Sequence, residues 1–147
     1  MAIYATNPRA HFDYQILETF EAGIVLEGYE VKAVKSNKVS LRGAYVKIIN
    51  GEPVLLGALV SPYQAGNVPI DYDQQRTRHL LLKKKEVQYL FDKTTELGAT
   101  LVPLKIYSKN NLIKLEIGLA RGKKKFDKRE TIKKREESRS IKRALNN

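Results

Sequence analysis

The chain has 147 residues, 42% of them hydrophobic, which is the size of one domain built around a single core. Lys and Arg number 27 against 16 Asp and Glu, a net charge of +11, so the expected partners are phosphate backbones, anionic membrane surfaces or acidic proteins. The absence of cysteine excludes disulfides and thiolate metal sites, and two histidines are too few for a metal cluster.

The positive charge is concentrated at the C-terminal end of the chain. From Arg121 onward there are twelve basic and four acidic residues, which leaves +8 of the total +11. Residues 1–120 hold 15 basic and 12 acidic residues, a net charge of only +3. We therefore predict two parts: a nearly neutral folded body over residues 1–120 and a basic tail over residues 121–147.

The body begins with one predicted strand and one predicted helix. Residues 11–26 are rich in β-favouring side chains, and Gly23 within them suggests a bulge or bend. Residues 27–37 change to helical spacing, and Asn37 is placed to end that helix in a left-handed conformation.

A hairpin and a long loop are predicted next. In residues 44–61 two β-rich runs flank Asn50 and Gly51, the dipeptide that best tolerates the two positive φ angles of a type I′ turn. Residues 61–75 are rich in Pro, Gly and Asn, which is typical of a loop.

The body ends with a predicted helix and a second hairpin. Residues 80–98 show helical periodicity with a glycine at the end, and residues 100–120 form a hairpin that turns at Asn110 and Asn111. The second strand of this hairpin alternates apolar and polar residues, which is typical of a half-buried strand. Pro103 favours an edge or a bulge.

These elements predict a mainly β fold with helices, an antiparallel OB-like barrel, because closure of the sheet leaves no unpaired edge. The tail has no continuous apolar stripe that could dock on this core. Asp127 followed by Glu130 is nevertheless typical of a helix start. We therefore expect a tail that is disordered when free and helical when bound to a polyanion.

Catalytic motifs are scarce in this sequence. There is no Ser/His/Asp set, no HExxH and no Gly-rich phosphate loop. Asp71 and Asp73 share a loop and could bind a cation weakly, so a small magnesium-dependent nuclease is the enzymatic alternative. We expect a protein that is not an enzyme and needs no cofactor. The N-terminus is no signal peptide and no apolar run reaches the ~20 residues of a membrane span, so the expected location is cytoplasmic.

Two basic stretches are candidate RNA contacts. In residues 76–85, RTRHLLLKKK, the leucines could lie in the core above a solvated basic flank. Alternatively, Arg76 and Arg78 grip phosphates with their fork-shaped guanidinium donors. The stretch GKKKFDKR, residues 122–129, is more specific, because closely spaced cations neutralise phosphates and an aromatic ring can stack on a base.

Five separated motifs, in the right order, resemble the SmpB family: FEAGIVLEGYEVKAVKSNKVSL, SPYQAGN, RTRHLLL, TLVPLKIYSKN and GKKKFDKRET. The resemblance runs from about Asn7 to the C-terminus. It implies an OB-fold protein that binds the tRNA-like domain of transfer-messenger RNA (tmRNA). It also implies delivery of that RNA, together with elongation factor Tu, to stalled ribosomes in trans-translation.

The resemblance also implies site residues. The positions that it implies for tmRNA binding are Asn7, Glu21, Leu81 and Lys114. The basic stretch of residues 76–85 adds Arg76 and Arg78 to this predicted site. The tail positions that the resemblance implies, expected to act at the ribosomal decoding centre and in the empty mRNA channel, are Gly122, Lys123, Lys124, Asp127, Lys128 and Arg129. Phe126 stands where many family members have histidine or tyrosine, and we expect it to stack on a ribosomal base. The alternative to an RNA-binding adaptor is a structural ribosomal protein with a basic extension.

Overall fold

A computed structural model describes residues 1–64, 66 and 68–122 of the chain. The predicted behaviour of the tail, residues 123–147, lies outside the described residues. The described elements, in chain order, are β1 (Ile3–Thr6), α1 (Ala10–Asp13), β2 (Tyr14–Ile24), α2 (Gly28–Lys35), β3 (Val39–Ser40), β4 (Tyr45–Ile49), β5 (Glu52–Leu56), β6 (Leu59–Val60), β7 (Arg78–Leu81), α3 (Lys84–Glu96), β8 (Thr100–Lys109) and β9 (Leu112–Gly122).

The main sheet closes on itself. Its strand order is β1-β8-β4-β5-β7-β2-β9, and β9 also pairs with β8, so the last strand returns to the beginning of the sheet. All of these pairings are antiparallel, while β3 and β6 form a separate short ribbon. The predicted antiparallel barrel is therefore confirmed.

Asparagine-rich turns set the register of the two hairpins. Asn50 and Gly51 have φ angles of 52° and 78°, and Asn110 and Asn111 have φ angles of 51° and 64°. Two consecutive positive φ angles are what a type I′ turn requires, so both predicted hairpins are confirmed. Asn37, with φ 61°, follows the end of α2 and takes the left-handed conformation that was predicted for it.

The two faces of strand β9 differ: one lines the inside of the barrel and the other lies on its outside. Leu115, Ile117 and Leu119 point inward and are at most 2% exposed. The alternate residues face outward, where Lys114 and Glu116 are half-buried. Full burial of each large apolar side chain is worth roughly 1.5–3 kcal/mol, so this alternation fixes which face of β9 meets the core.

The start of one helix and the place of one bulge differ from the sequence prediction. The helix predicted over residues 80–98 begins only at Lys84, because Leu80 and Leu81 pair with β2 as part of β7. Leu80 is 4% exposed inside the barrel, and this tertiary burial overrides the local helical pattern. Gly23 stays within the regular ladder, whereas the bulge of β2 lies between Ile16 and Glu18.

Pro103 was predicted at an edge or bulge, and it lies at an irregularity, because the register of the β8–β9 ladder shifts between Pro103 and Lys105. The helix α1 occupies the first three residues of the stretch predicted as a strand over residues 11–26.

Among the described residues, no helix combines the length and the apolar character that crossing a membrane would take.

Candidate nucleic-acid interface

One row of directly paired residues crosses four strands on the outer face of the barrel. Leu81 on β7 pairs with Gly23 on β2, Gly23 pairs with Lys114 on β9, and Lys114 pairs with Tyr107 on β8. Leu81 is 62% exposed. A Cβ atom at Gly23 would lie 3.2 Å from the Cβ of Leu81, so the glycine lets the leucine lie close over the strand. The row presents an apolar side chain and a cation side by side.

The neighbouring row carries charges of both signs. Glu21 on β2 pairs with Glu116 on β9, which pairs with Lys105 on β8. Two carboxylates directly opposite each other repel, but Lys105 Nζ lies 3.7 Å from Glu116 Oε2 and compensates that charge. We call the surface formed by the two rows and the adjacent lysine of β8 the outer site; it comprises Glu21, Leu81, Lys105, Tyr107, Lys109, Lys114 and Glu116.

Glu21 is held from the far side of β9. The hydroxyl of Tyr107 donates to Glu21 Oε2 at 2.5 Å, and Lys109 Nζ lies 3.5 Å from the same oxygen. The hydrogen bond from Tyr107, helped by Lys109 and Lys114, lowers the pKa of Glu21 against the opposing effect of desolvation. Burial and the bond to Glu21 raise the pKa of Tyr107. At neutral pH the pair is therefore a carboxylate that accepts from a protonated phenol.

The structure corrects the predicted role of Arg78. Its side chain is fully buried, and its Nε and Nη2 atoms donate to Glu30 Oε2 at 3.1 and 2.8 Å. Further donors reach the carbonyl oxygens of Ala58, Arg76 and Gln74 at 2.8, 3.0 and 3.0 Å. A guanidinium enclosed in this way has no surface to offer a phosphate.

The same carboxylate engages Arg76 and the long loop between β6 and β7. Arg76 donates to both oxygens of Glu30, and the hydroxyl of Tyr72 donates to Glu30 Oε2 at 3.0 Å. Burial alone would raise the pKa of Glu30, but the hydrogen bonds from Arg76, the backbone N–H of Glu27 and Arg78 hold it at about 2. Burial and the bond to Glu30 raise the pKa of Tyr72 to about 12. The Arg76 side chain is 28% exposed, so only a small part of it could contact RNA, and its role in RNA binding stays a prediction.

Asn7 uses its amide group within the fold. Its Nδ2 donates to the carbonyl of Pro103 at 3.0 Å, and its Oδ1 accepts from the backbone N–H of Arg9 at 3.3 Å. These bonds fix the start of α1 against β8, beside a groove of about 540 Å³ that also includes Tyr45. The structure thus brings Glu21, Leu81 and Lys114 together in the outer site and places Asn7 at the groove instead.

Gly122 is paired with Tyr14 at the end of β9, so the barrel extends two residues beyond the predicted boundary at residue 120. The other predicted tail residues lie outside the described residues: Lys123, Lys124, Phe126, Asp127, Lys128 and Arg129. Within the described ranges, no group of three or more His, Asp or Glu residues could hold a metal ion. The Asp73 carboxylate accepts from the backbone N–H of Gln75 at 2.9 Å, so it serves a turn of its own loop.

Sequence reasoning missed Tyr107 and Glu30. The signal for the buried arginine was present, because Arg78 and Leu80 are two residues apart and therefore share the inward face of β7. Its partner Glu30 lies 48 residues away in the sequence, and Tyr107 lies 86 residues from Glu21. No local pattern reports such distant pairs.

Comparison with known proteins agrees with the motifs. The family described as "SmpB protein" matches residues 4–147. The SsrA-binding proteins of Geobacillus kaustophilus and Carboxydothermus hydrogenoformans are 48% and 49% identical over 97% of this chain, covering 92% and 95% of their own lengths. That of Streptococcus agalactiae is 47% identical over 99% of this chain and 93% of its own length.

A solved structure is also similar. One chain of the structure described as "tmRNA-SmpB: a journey to the center of the bacterial ribosome" has a TM-score of 0.67 and 45% identity to this chain. The match covers 82% of this chain and 84% of the solved one. The resemblance seen in the sequence motifs is confirmed, and the chain belongs to the SmpB family.

Proposed function

We propose that this protein is an RNA-binding adaptor that binds the tRNA-like domain of tmRNA and brings it to stalled ribosomes for trans-translation. The observation that carries the proposal is the outer site, where Glu21, Leu81 and Lys114 from three distant segments meet on one face. The relatives named SsrA-binding proteins and the similar tmRNA-SmpB structure support this choice of RNA.

The chemistry of the outer site suits a folded RNA better than a bare polyanion. Lys114 supplies a cation for a phosphate, and the exposed Leu81 can pack against a sugar or a base. Glu21 would repel a phosphate, but a carboxylate accepts from a base amino group or a 2′-hydroxyl. A site that mixes these groups is selective for an RNA surface in which phosphates, sugars and base edges are held in fixed positions.

The basic tail is proposed to act on the ribosome. Its cations and Phe126 would contact ribosomal RNA at the decoding centre and enter the vacant mRNA channel, while elongation factor Tu takes part indirectly through the charged tmRNA. The proposed role requires binding at two places and no bond making or breaking, so we propose a non-enzymatic adaptor without a cofactor. Because its proposed target is the stalled ribosome, we place the protein in the cytoplasm.

The test is the identity of the RNA that co-purifies with the protein from its native host. One dominant tRNA-like species supports the adaptor, whereas mixed ribosomal RNA supports a structural ribosomal protein. The site is tested by binding of the purified tRNA-like domain to Glu21→Ala and Lys114→Ala variants, both of which should bind more weakly. Glu52→Ala is the matched control, because Glu52 is 69% exposed on β5 outside the outer site.

A further inference from the structure

We propose that Tyr107 is a positioning residue of the outer site: its hydroxyl fixes one oxygen of the Glu21 carboxylate and turns the other toward the RNA. The inference rests on the proposed RNA-binding function of Glu21. It gives a role to Tyr107, to which the sequence motifs assigned none, and it states which oxygen of Glu21 meets the ligand.

The two oxygens of Glu21 are not equivalent. Oε2 accepts the 2.5 Å bond from Tyr107 and lies 3.5 Å from Lys109 Nζ. Among the described residues, none donates to Oε1. The Glu21 side chain is 38% exposed, so solvent or a ligand can reach it. The carboxylate thus has one committed oxygen and one open acceptor.

Tyr107 is itself held rigidly enough to orient its partner. It is only 4% exposed, and the Nζ atom of Lys105 lies 5.4 Å from the centre of its ring. A glutamate on an exposed strand normally loses rotamer freedom when it binds a ligand, which weakens binding. The fixed phenol removes part of that loss before the RNA arrives.

A purely structural role for the bond is the competing explanation, and the protein contains a matched case. The hydroxyl of Tyr89 on α3 donates to Glu18 Oε2 at 2.6 Å, outside the outer site. If tyrosine–glutamate bonds serve only to tie elements together, removal of either hydroxyl should have the same effect on RNA binding.

The first experiment is a double-mutant cycle, read as affinity for the purified tRNA-like domain of tmRNA. We expect Tyr107→Phe to bind about tenfold more weakly and Tyr89→Phe to stay within about twofold of the unaltered protein. In a Glu21→Ala background, Tyr107→Phe should cause no further loss, because it acts through Glu21. Independent, multiplying losses would overturn the proposal, as would equal effects of Tyr107→Phe and Tyr89→Phe.

The second experiment uses Glu21→Gln and does not depend on how well Tyr107→Phe folds. The phenol and the nearby Lys109 both favour the amide oxygen at the Oε2 position, which places the NH₂ group where Oε1 was. A donor then replaces the acceptor that faces the RNA, so Glu21→Gln should bind as weakly as Glu21→Ala. Binding close to that of the unaltered protein would mean that the side chain is not fixed, and would overturn the proposal.

The outcomes separate this inference from the function on which it rests. If Glu21→Ala binds the RNA as tightly as the unaltered protein, the proposed RNA site itself fails. If Glu21→Ala weakens binding but Tyr107→Phe behaves like Tyr89→Phe, the RNA site stands and only the positioning role is lost.

Discussion

Replacement of Glu30 by glutamine removes the single negative charge of a buried network. Glu30 and Arg78 are both 0% exposed, and Arg76 is 28% exposed. The neutral amide still accepts hydrogen bonds, but it leaves the buried guanidinium of Arg78 without a counter-charge and removes the carboxylate that Arg76 donates to. Loss of one partner from a buried ion pair typically costs about 3–5 kcal/mol.

The pKa of Glu30 gives a second route to the magnitude. A lowering from 4.5 to about 2 means that the folded state favours the ionised carboxylate by about 3 kcal/mol. The folded pKa lies below the unfolded one, so this contribution is complete above about pH 4.5 and is lost as the pH falls toward 2. Both routes lead us to expect that Glu30→Gln lowers the free energy of unfolding by about 3 kcal/mol at pH 7.

Urea denaturation followed by circular dichroism measures this difference between pH 7 and pH 3. The gap between the unaltered protein and Glu30→Gln should be constant down to about pH 5 and should then narrow. The control is Glu52→Gln, because Glu52 is 69% exposed beside His79 and an exposed pair contributes at most about 1 kcal/mol. A Glu30→Gln variant as stable as Glu52→Gln, or a gap that does not change with pH, would refute the reasoning.

Three further changes probe the turns, the outer site and the tail. Gly23→Ala places a methyl group 3.2 Å from the Cβ of Leu81 and should weaken binding of the tRNA-like domain several-fold in a filter assay; unchanged affinity would show that this close approach is unimportant. Gly51→Ala meets no atom within 4 Å but keeps a φ of 78°, so it should cost about 1 kcal/mol in urea denaturation and leave RNA affinity unchanged. Deletion of residues 123–147 should retain RNA binding and abolish trans-translation on stalled ribosomes. A truncated protein that still supports trans-translation would contradict the proposal that the body binds tmRNA and the tail acts on the ribosome.

The parts of the fold that local chemistry determines were predictable. Asn50 and Gly51 demand a turn with two positive φ angles, and the period-two pattern of β9 demands one buried face. Closure into a barrel follows, because several half-buried strands otherwise leave open edges. Where a segment fits two local patterns, as residues 80–83 do, the outcome depends on a partner strand elsewhere in the sequence.

The outer site was only partly predictable for the same reason. Lys114 could be placed on the polar face of its strand from alternation alone, and Glu21 came from the family resemblance. The position of Tyr107, one strand beyond Lys114, depends on the register of β8 against β9, which includes a shift at Pro103. A one-residue change in register would turn Tyr107 to the other face of the sheet.

Within the part of the chain that the structure describes, Glu18, Glu21 and Glu30 each accept a hydrogen bond from a tyrosine, and their surroundings distinguish them. Glu30 is buried and both of its oxygens accept from arginines, so its bond from Tyr72 at 3.0 Å contributes to the stability of the fold. Glu18 is exposed, and among the described residues no cation lies within ion-pair distance of it, so its bond at 2.6 Å joins a helix to the barrel. Glu21, with a bond at 2.5 Å, combines partial exposure, the neighbouring Lys109 and an open oxygen. An acceptor surrounded by cations suits an RNA sugar or base edge beside its own phosphates, so this combination supports the role in RNA recognition that we propose for Glu21.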